Sequence, residues 1–123
     1  MDPITFAFLI GAAAAVLIGV IAFSIKWLVG YIKKRLAKNK GKKVVFAELQ
    51  DIIDDEMKEK IKVSKTMSLE DLEKMCDETP YVSAVYDEEN DTVEDYEGFQ
   101  AESVEDQFDQ KMKENGGMIV VSA

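Results

Sequence analysis

The order of apolar and polar positions divides this chain into two unlike parts. Residues 4–25 run without one charged side chain, without alternation and without a polar face. As a helix rising about 1.5 Å per residue, the run would be about 33 Å long, enough to cross a hydrocarbon core of roughly 30 Å. A secretory leader would open on positive charge and carry a shorter apolar core, whereas no Lys or Arg precedes Lys26. Hydropathy therefore predicts a transmembrane helix over 4–25, behind a short extracytoplasmic N-terminus, 1–3.

Beyond residue 43 the apolar positions become periodic. Val45, Leu49, Ile52, Ile53, Met57 and Ile61 recur at three- and four-residue steps, which predicts an amphipathic helix over 44–61. Gly41 is the expected break before it, and 62–66 fits a short strand or a loop. Ser68, followed by Glu70 and Asp71, predicts a helix start, because a hydroxyl caps free N–H groups and early acids suit the helix dipole. That helix should run to about Glu78 and stop before Thr79-Pro80. The alternating runs 81–86 and 92–99, around an acidic tip at 87–91, predict a β-hairpin. Ser103 then caps a helix carrying Val104, Phe108 and Met112 on one stripe, ended by Asn115-Gly116-Gly117. Residues 118–121 close the chain as an apolar strand expected to pair with the hairpin. The predicted fold class is a single N-terminal transmembrane α-helix plus a small α+β cytosolic domain, α-α-β-β-α-β, with a mainly antiparallel sheet.

Charge follows the same division. Residues 1–43 hold eight basic residues and one acid, a net of +7, whereas 44–123 hold seven basic residues and 23 acids, a net of −16; together these give −9. Basic flanks stay on the cytoplasmic side, so the expected location is the cell membrane, N-terminus outside and C-terminal domain in the cytoplasm. Within the juxtamembrane segment 26–43, Lys33, Lys34, Arg35, Lys38, Lys40, Lys42 and Lys43 are expected to contact anionic lipid headgroups, at about 1 kcal/mol each. Trp27 and Tyr31 fall where interfacial aromatic anchors sit. The acidic domain 44–123 excludes a nucleic-acid partner and suits a protein partner.

The inventory of reactive side chains is short. There is no histidine and a single cysteine, Cys76, so no intramolecular disulfide can form. Cys76 shares a helical pattern with Leu69, Leu72 and Met75, which makes it a structural thiol rather than a nucleophile lacking a base. A calcium loop counted from Asp87 would need glycine where Thr92 stands and glutamate where Gly98 stands. No phosphate loop, dinucleotide fingerprint or nucleophile–base pair is present. No metal or cofactor is therefore expected, and no enzymatic activity. Ala7, Gly11, Ala15 and Gly19 recur every four residues, a small-residue stripe that would let membrane helices pack and the chain form a homo-oligomer.

These readings lead to a membrane-anchored, non-enzymatic interaction or regulatory module presenting an acidic domain at the cytosolic face. The alternative is an oligomerising membrane effector, pore-forming or holin-like, gated by that domain. A third is a structural component of an envelope or virion assembly.

Overall fold

Val44, Val45, Phe46 and Ala47 are consecutive and all fully buried. Successive strand residues point to opposite faces, so a strand buried at every position must be covered on both sides. The same holds for Tyr81 through Tyr86, each shielded from solvent. These two runs form the centre of a five-stranded sheet, and the rest of the chain supplies its covers and edges.

The computed structural model describes residues 3–65 and 67–123. The elements in chain order are α1 (Pro3–Ala12), β1 (Val16–Phe23), α2 (Ile25–Lys38), β2 (Lys43–Glu48), α3 (Leu49–Ile52), α4 (Asp55–Ser64), α5 (Leu69–Glu78), β3 (Tyr81–Asp87), β4 (Thr92–Val104), α6 (Asp106–Glu114) and β5 (Met118–Ser122). The strand order is β1-β4-β3-β2-β5, with β1 parallel to β4 and every other pair antiparallel. One face carries α1, α4 and α5, whose Phe8, Leu9, Met57, Ile61, Leu72 and Met75 pack on Val45, Ala47, Val82 and Ala84. The other carries α2 and α6, whose Leu28, Ile32, Phe108 and Met112 pack on Val44, Phe46, Tyr81 and Phe99. The result is a small mixed α/β domain.

This arrangement overturns the expected transmembrane helix. Among the described residues, no helix is long and apolar enough to cross a membrane. The run 4–25 is instead divided among α1, a turn, β1 and the first residue of α2. The single-pass topology, with its outside N-terminus and its location built on that span, falls with the helix. Hydropathy counts apolar residues without asking what buries them. The ten residues of α1 would be only about 15 Å long. Ala14 N–H donates to the Gly11 carbonyl and Ala15 N–H to that of Ala12, closing the helix in a tight turn. The β-branched Val16, Ile18, Val20 and Ile21 then favour a strand. Residues 1 and 2 of the expected outer segment lie outside the described residues.

Further expectations are corrected. Of 62–66, read as a short strand or a loop, residues 62–64 complete α4, and residue 66 lies outside the described residues. The helix predicted over 44–61 begins instead as β2, because the run 44–47 is buried on both faces and helical periodicity there is accidental. The closing strand β5 pairs with β2 and not with the hairpin, whose two strands have both edges occupied, β3 by β2 and β4 by β1.

Most local signals act where the sequence places them, but the helix expected to start at Ser103 starts after Glu105, and Ser103 and Val104 end β4. Ser68 and Asp71 form a reciprocal capping box at the start of α5. Gly116 and Gly117 take positive φ after α6, +68° and +87°, where a side chain would strain the backbone. One irregularity re-aims a side chain. In β4, Val93 and Tyr96 both pack on the α1 face although three residues apart, which strict alternation forbids. The β3–β4 register shifts between Ser83 and Val85, and Asp95 takes a left-handed φ of 55°, so a bulge supplies the extra residue.

Phe108 is fully buried, with its ring stacked 5.0 Å from that of Phe23. Phe108→Ala should therefore lower stability by about 3–5 kcal/mol in chemical denaturation. Gly30 lies inside α2 with open space where a Cβ would go, so Gly30→Ala should raise stability by about 0.5–1 kcal/mol.

Candidate functional site

An edge strand normally protects its unpaired N–H and C=O groups with charge, proline or a covering segment. β1 is the edge beside β4 and holds neither a charged residue nor proline. Phe23 and Ile21 pack in the core under α2, but Val16 (65 % exposed), Leu17 (47 %), Ile18 (56 %) and Val20 (56 %) face outward. The β1–β4 register passes from Leu17 opposite Gly98 to Gly19 opposite Phe99, so Ile18 is bulged out of the ladder. These side chains form an exposed apolar strip in a region of chain that carries no charge.

The helix that follows is built to present cations next to this strip. Ser24 caps α2 by accepting from the Trp27 backbone N–H at 3.1 Å. Trp27 and Tyr31, placed at a membrane interface by the sequence reading, stack on each other at 5.0 Å with their edges against Phe99, the residue opposite Gly19 of β1. The first two turns of α2 thus lie over β4, next to the exposed strand. Lys26, Lys33, Lys34 and Lys38 are exposed along the helix, as is Lys40 just beyond it, and Val29 is 46 % exposed among them.

The seven basic residues expected to act together are in fact sorted into two groups. Arg35 is buried against the sheet. Its Nη2 donates to the Asp95 carbonyl at 2.6 Å, its Nη1 lies 3.5 Å from Glu97 Oε1, and its guanidinium sits over the Tyr31 ring. Tyr31 Oη donates to the same Glu97 oxygen at 2.5 Å, and burial followed by that carboxylate pushes the phenol far above its ordinary range. Lys42 pairs with Glu94 at 2.7 Å and Lys43 with Glu88 at 2.8 Å, both tied to the hairpin. Lys33, Lys34, Lys38 and Lys40 form no salt bridge among the described residues, so their charge faces outward.

The small-residue stripe is also dispersed. Ala7 and Gly11 lie on α1, Ala15 in the turn and Gly19 in β1. Gly11 instead provides room for Tyr96, whose ring a Cβ there would strike and whose hydroxyl donates to the Ala7 carbonyl at 3.3 Å.

Two other places hold reactive groups. Cys76 lines an open cleft of about 370 Å³ between α4 and α5, with Ile53, Lys58, Leu69 and Glu73. Burial, followed by the charge of Asp77, pushes its thiol up, away from the thiolate that nucleophilic chemistry needs. At the end of β2, Glu48 lies near Asp51, whose carboxylate is 3.7 Å from Lys113 Nζ; the same ammonium is 3.5 Å from Asp109. Glu48 Oε2 is shut off from solvent without a hydrogen-bond partner among the described residues, and burial, then the charge of Asp51, pushes the carboxyl up to about 7. Sequence reasoning missed Glu48 because its isolation depends on α6 and β5 folding back over β2. Among the described residues, no group of three or more His, Cys, Asp or Glu side chains is placed to hold a metal ion.

The Glu48 carboxyl generates a pH prediction. Its folded-state pKa lies above the unfolded value, so its stabilising contribution is complete below about pH 4.5 and is lost as pH rises through about 7. Glu48→Gln should therefore raise the melting temperature more above pH about 8 than near pH about 4; equal shifts at both would contradict the assignment. No protein-family model matches this chain, and no curated protein and no solved structure matches it either.

Proposed function

We propose that the chain is a non-enzymatic interaction module that works through the β1 edge and the outer face of α2. One observation carries this reading: an unguarded edge strand exposes four large apolar side chains near a row of lysines that form no salt bridge among the described residues. Contiguous exposed apolar surface rimmed by polar residues marks an interaction site more often than a bare surface. The chemistry elsewhere adds no rival. Cys76 has no imidazole to deprotonate it, since the chain has no histidine, and the Glu48 carboxyl has a solvent-shielded oxygen rather than one aimed into a cleft. The pore-type alternative depended on a self-associating span and is not carried forward.

Photo-crosslinking residues placed singly in the full chain test the location of the surface. A probe at Val20 or Val29 should give crosslinked adducts in expressing cells, whereas one at Val63, 72 % exposed on α4, should give none. Adducts at Val63 equal to those at Val20 would contradict the assignment of the surface.

A further inference from the structure

We infer that the surface formed by β1 and α2 docks on an anionic lipid bilayer, seated at the boundary of headgroups and acyl chains without crossing it. This inference rests on the proposed function and names the partner of that same surface.

Val16, Ile18 and Val20 are exposed along the edge, Val20 toward the α5 side of the sheet, and Lys26, Val29, Lys33 and Lys34 are exposed on α2, which covers the other face. At the N-terminal end of α2 lies an open hollow lined by Ser24, Lys26, Trp27, Gly30, Tyr31 and Lys34. Two ammonium groups, a hydroxyl and two aromatic walls suit a phosphodiester headgroup. Lysine stems can lie along apolar surface while their ammonium groups stay in water. Apolar area and cations on one face is the combination that binds anionic interfaces.

Charge selects this occupant over the others. Twenty-three of the 24 acidic residues follow residue 43, so the body of the protein is repelled by an anionic leaflet while the α2 face is attracted. The molecule is thereby oriented. A second copy paired through β1 fits less well. Antiparallel pairing about a two-fold axis would place both α2 helices on one sheet face and bring their unneutralised lysines toward each other. Nucleic acid would use the lysines but leave the apolar edge without a role.

The test uses the full chain and flotation with vesicles of phosphatidylcholine alone or mixed with phosphatidylglycerol. The mixed vesicles should bind at least about tenfold more tightly, and added salt should weaken the binding. Lys33→Ala with Lys34→Ala should weaken it about 30-fold, at about fivefold per lysine. Lys43→Ala should matter little, because Glu88 already holds that ammonium at 2.8 Å. Val20→Ser should weaken binding and make the remainder more salt-sensitive, with circular dichroism unchanged because the side chain is exposed. Equal affinity for both vesicles, or no loss on replacing Lys33 and Lys34, would overturn the lipid assignment. So would a concentration-dependent dimer, seen by sedimentation and abolished by Val20→Asp, without vesicle binding; that result would leave the interaction surface standing with a second copy as its occupant. Absence of vesicle binding, dimer and Val20 crosslinks together would overturn both readings.

Discussion

A sheet whose two central strands are apolar on both faces cannot stand uncovered. Val44 to Ala47 in β2 and Val82 to Val85 in β3 have essentially no exposed surface. At roughly 25 cal/mol per Å² of apolar area removed from water, covering those faces is the main favourable term available to a chain of this size. The helices α4, α5 and α6 cover parts of both faces. The segment before residue 43 completes the cover, with α1 on one side and α2 on the other, and extends the sheet with β1. The most apolar part of the chain is thus largely used up inside the fold. What remains outside is one strip along β1, and the functional reading follows from that remainder.

The same packing sorts the charges. The bulge at Asp95 turns Tyr96 toward α1, where its ring lies 5.7 Å from that of Phe8, and leaves the Asp95 carbonyl for Arg35 to satisfy. Arg35, Tyr31 and Glu97 form one linked group under α2, which fixes the rotation of that helix about its axis. Removing Glu97 would be costly, because the buried Arg35 charge would be left without compensation. With Leu28, Ile32 and Arg35 turned inward, Lys33 and Lys34 must turn outward, and Lys38 is exposed at the helix end. A run of basic residues that reads as uniform in sequence is therefore two functional groups in space, one structural and one free.

How much of this was legible depended on whether the signal was local. The Ser68 capping box, the hairpin around 87–91, the Gly116-Gly117 stop and the burial of Phe108 on its stripe all rest on neighbours within a few residues, and each appears in the structure. The fate of 4–25 does not. Ala12 to Ala15 are strong helix formers, and nothing local tells a membrane helix from a helix, turn and strand that a distant sheet will bury. Val44 to Ala47 failed for the same reason: a continuous apolar run fits a fully buried strand as well as a helix face. At the site, the lysines and exposed apolar residues were visible as composition. Only the fold separates Arg35, Lys42 and Lys43 from the others. Glu48 gave no signal, since burial, the first cause of its raised carboxyl, exists only once the sheet is covered.

The central claim is that β1 belongs to the sheet, and one stretch of backbone reports on it directly. Pairing between β3 and β4 ends at Tyr81 opposite Phe99, whereas β1 pairs with β4 as far as Phe23 opposite Val104. Among the described residues, the ladder over 100–104 is therefore held by β1 alone. Amide hydrogen exchange on the full chain should show slow exchange at positions within 100–104, approaching that of β3. Fast exchange there, with β2 and β3 still protected, would mean that residues 16–23 are not paired, and the account built on that edge would fail.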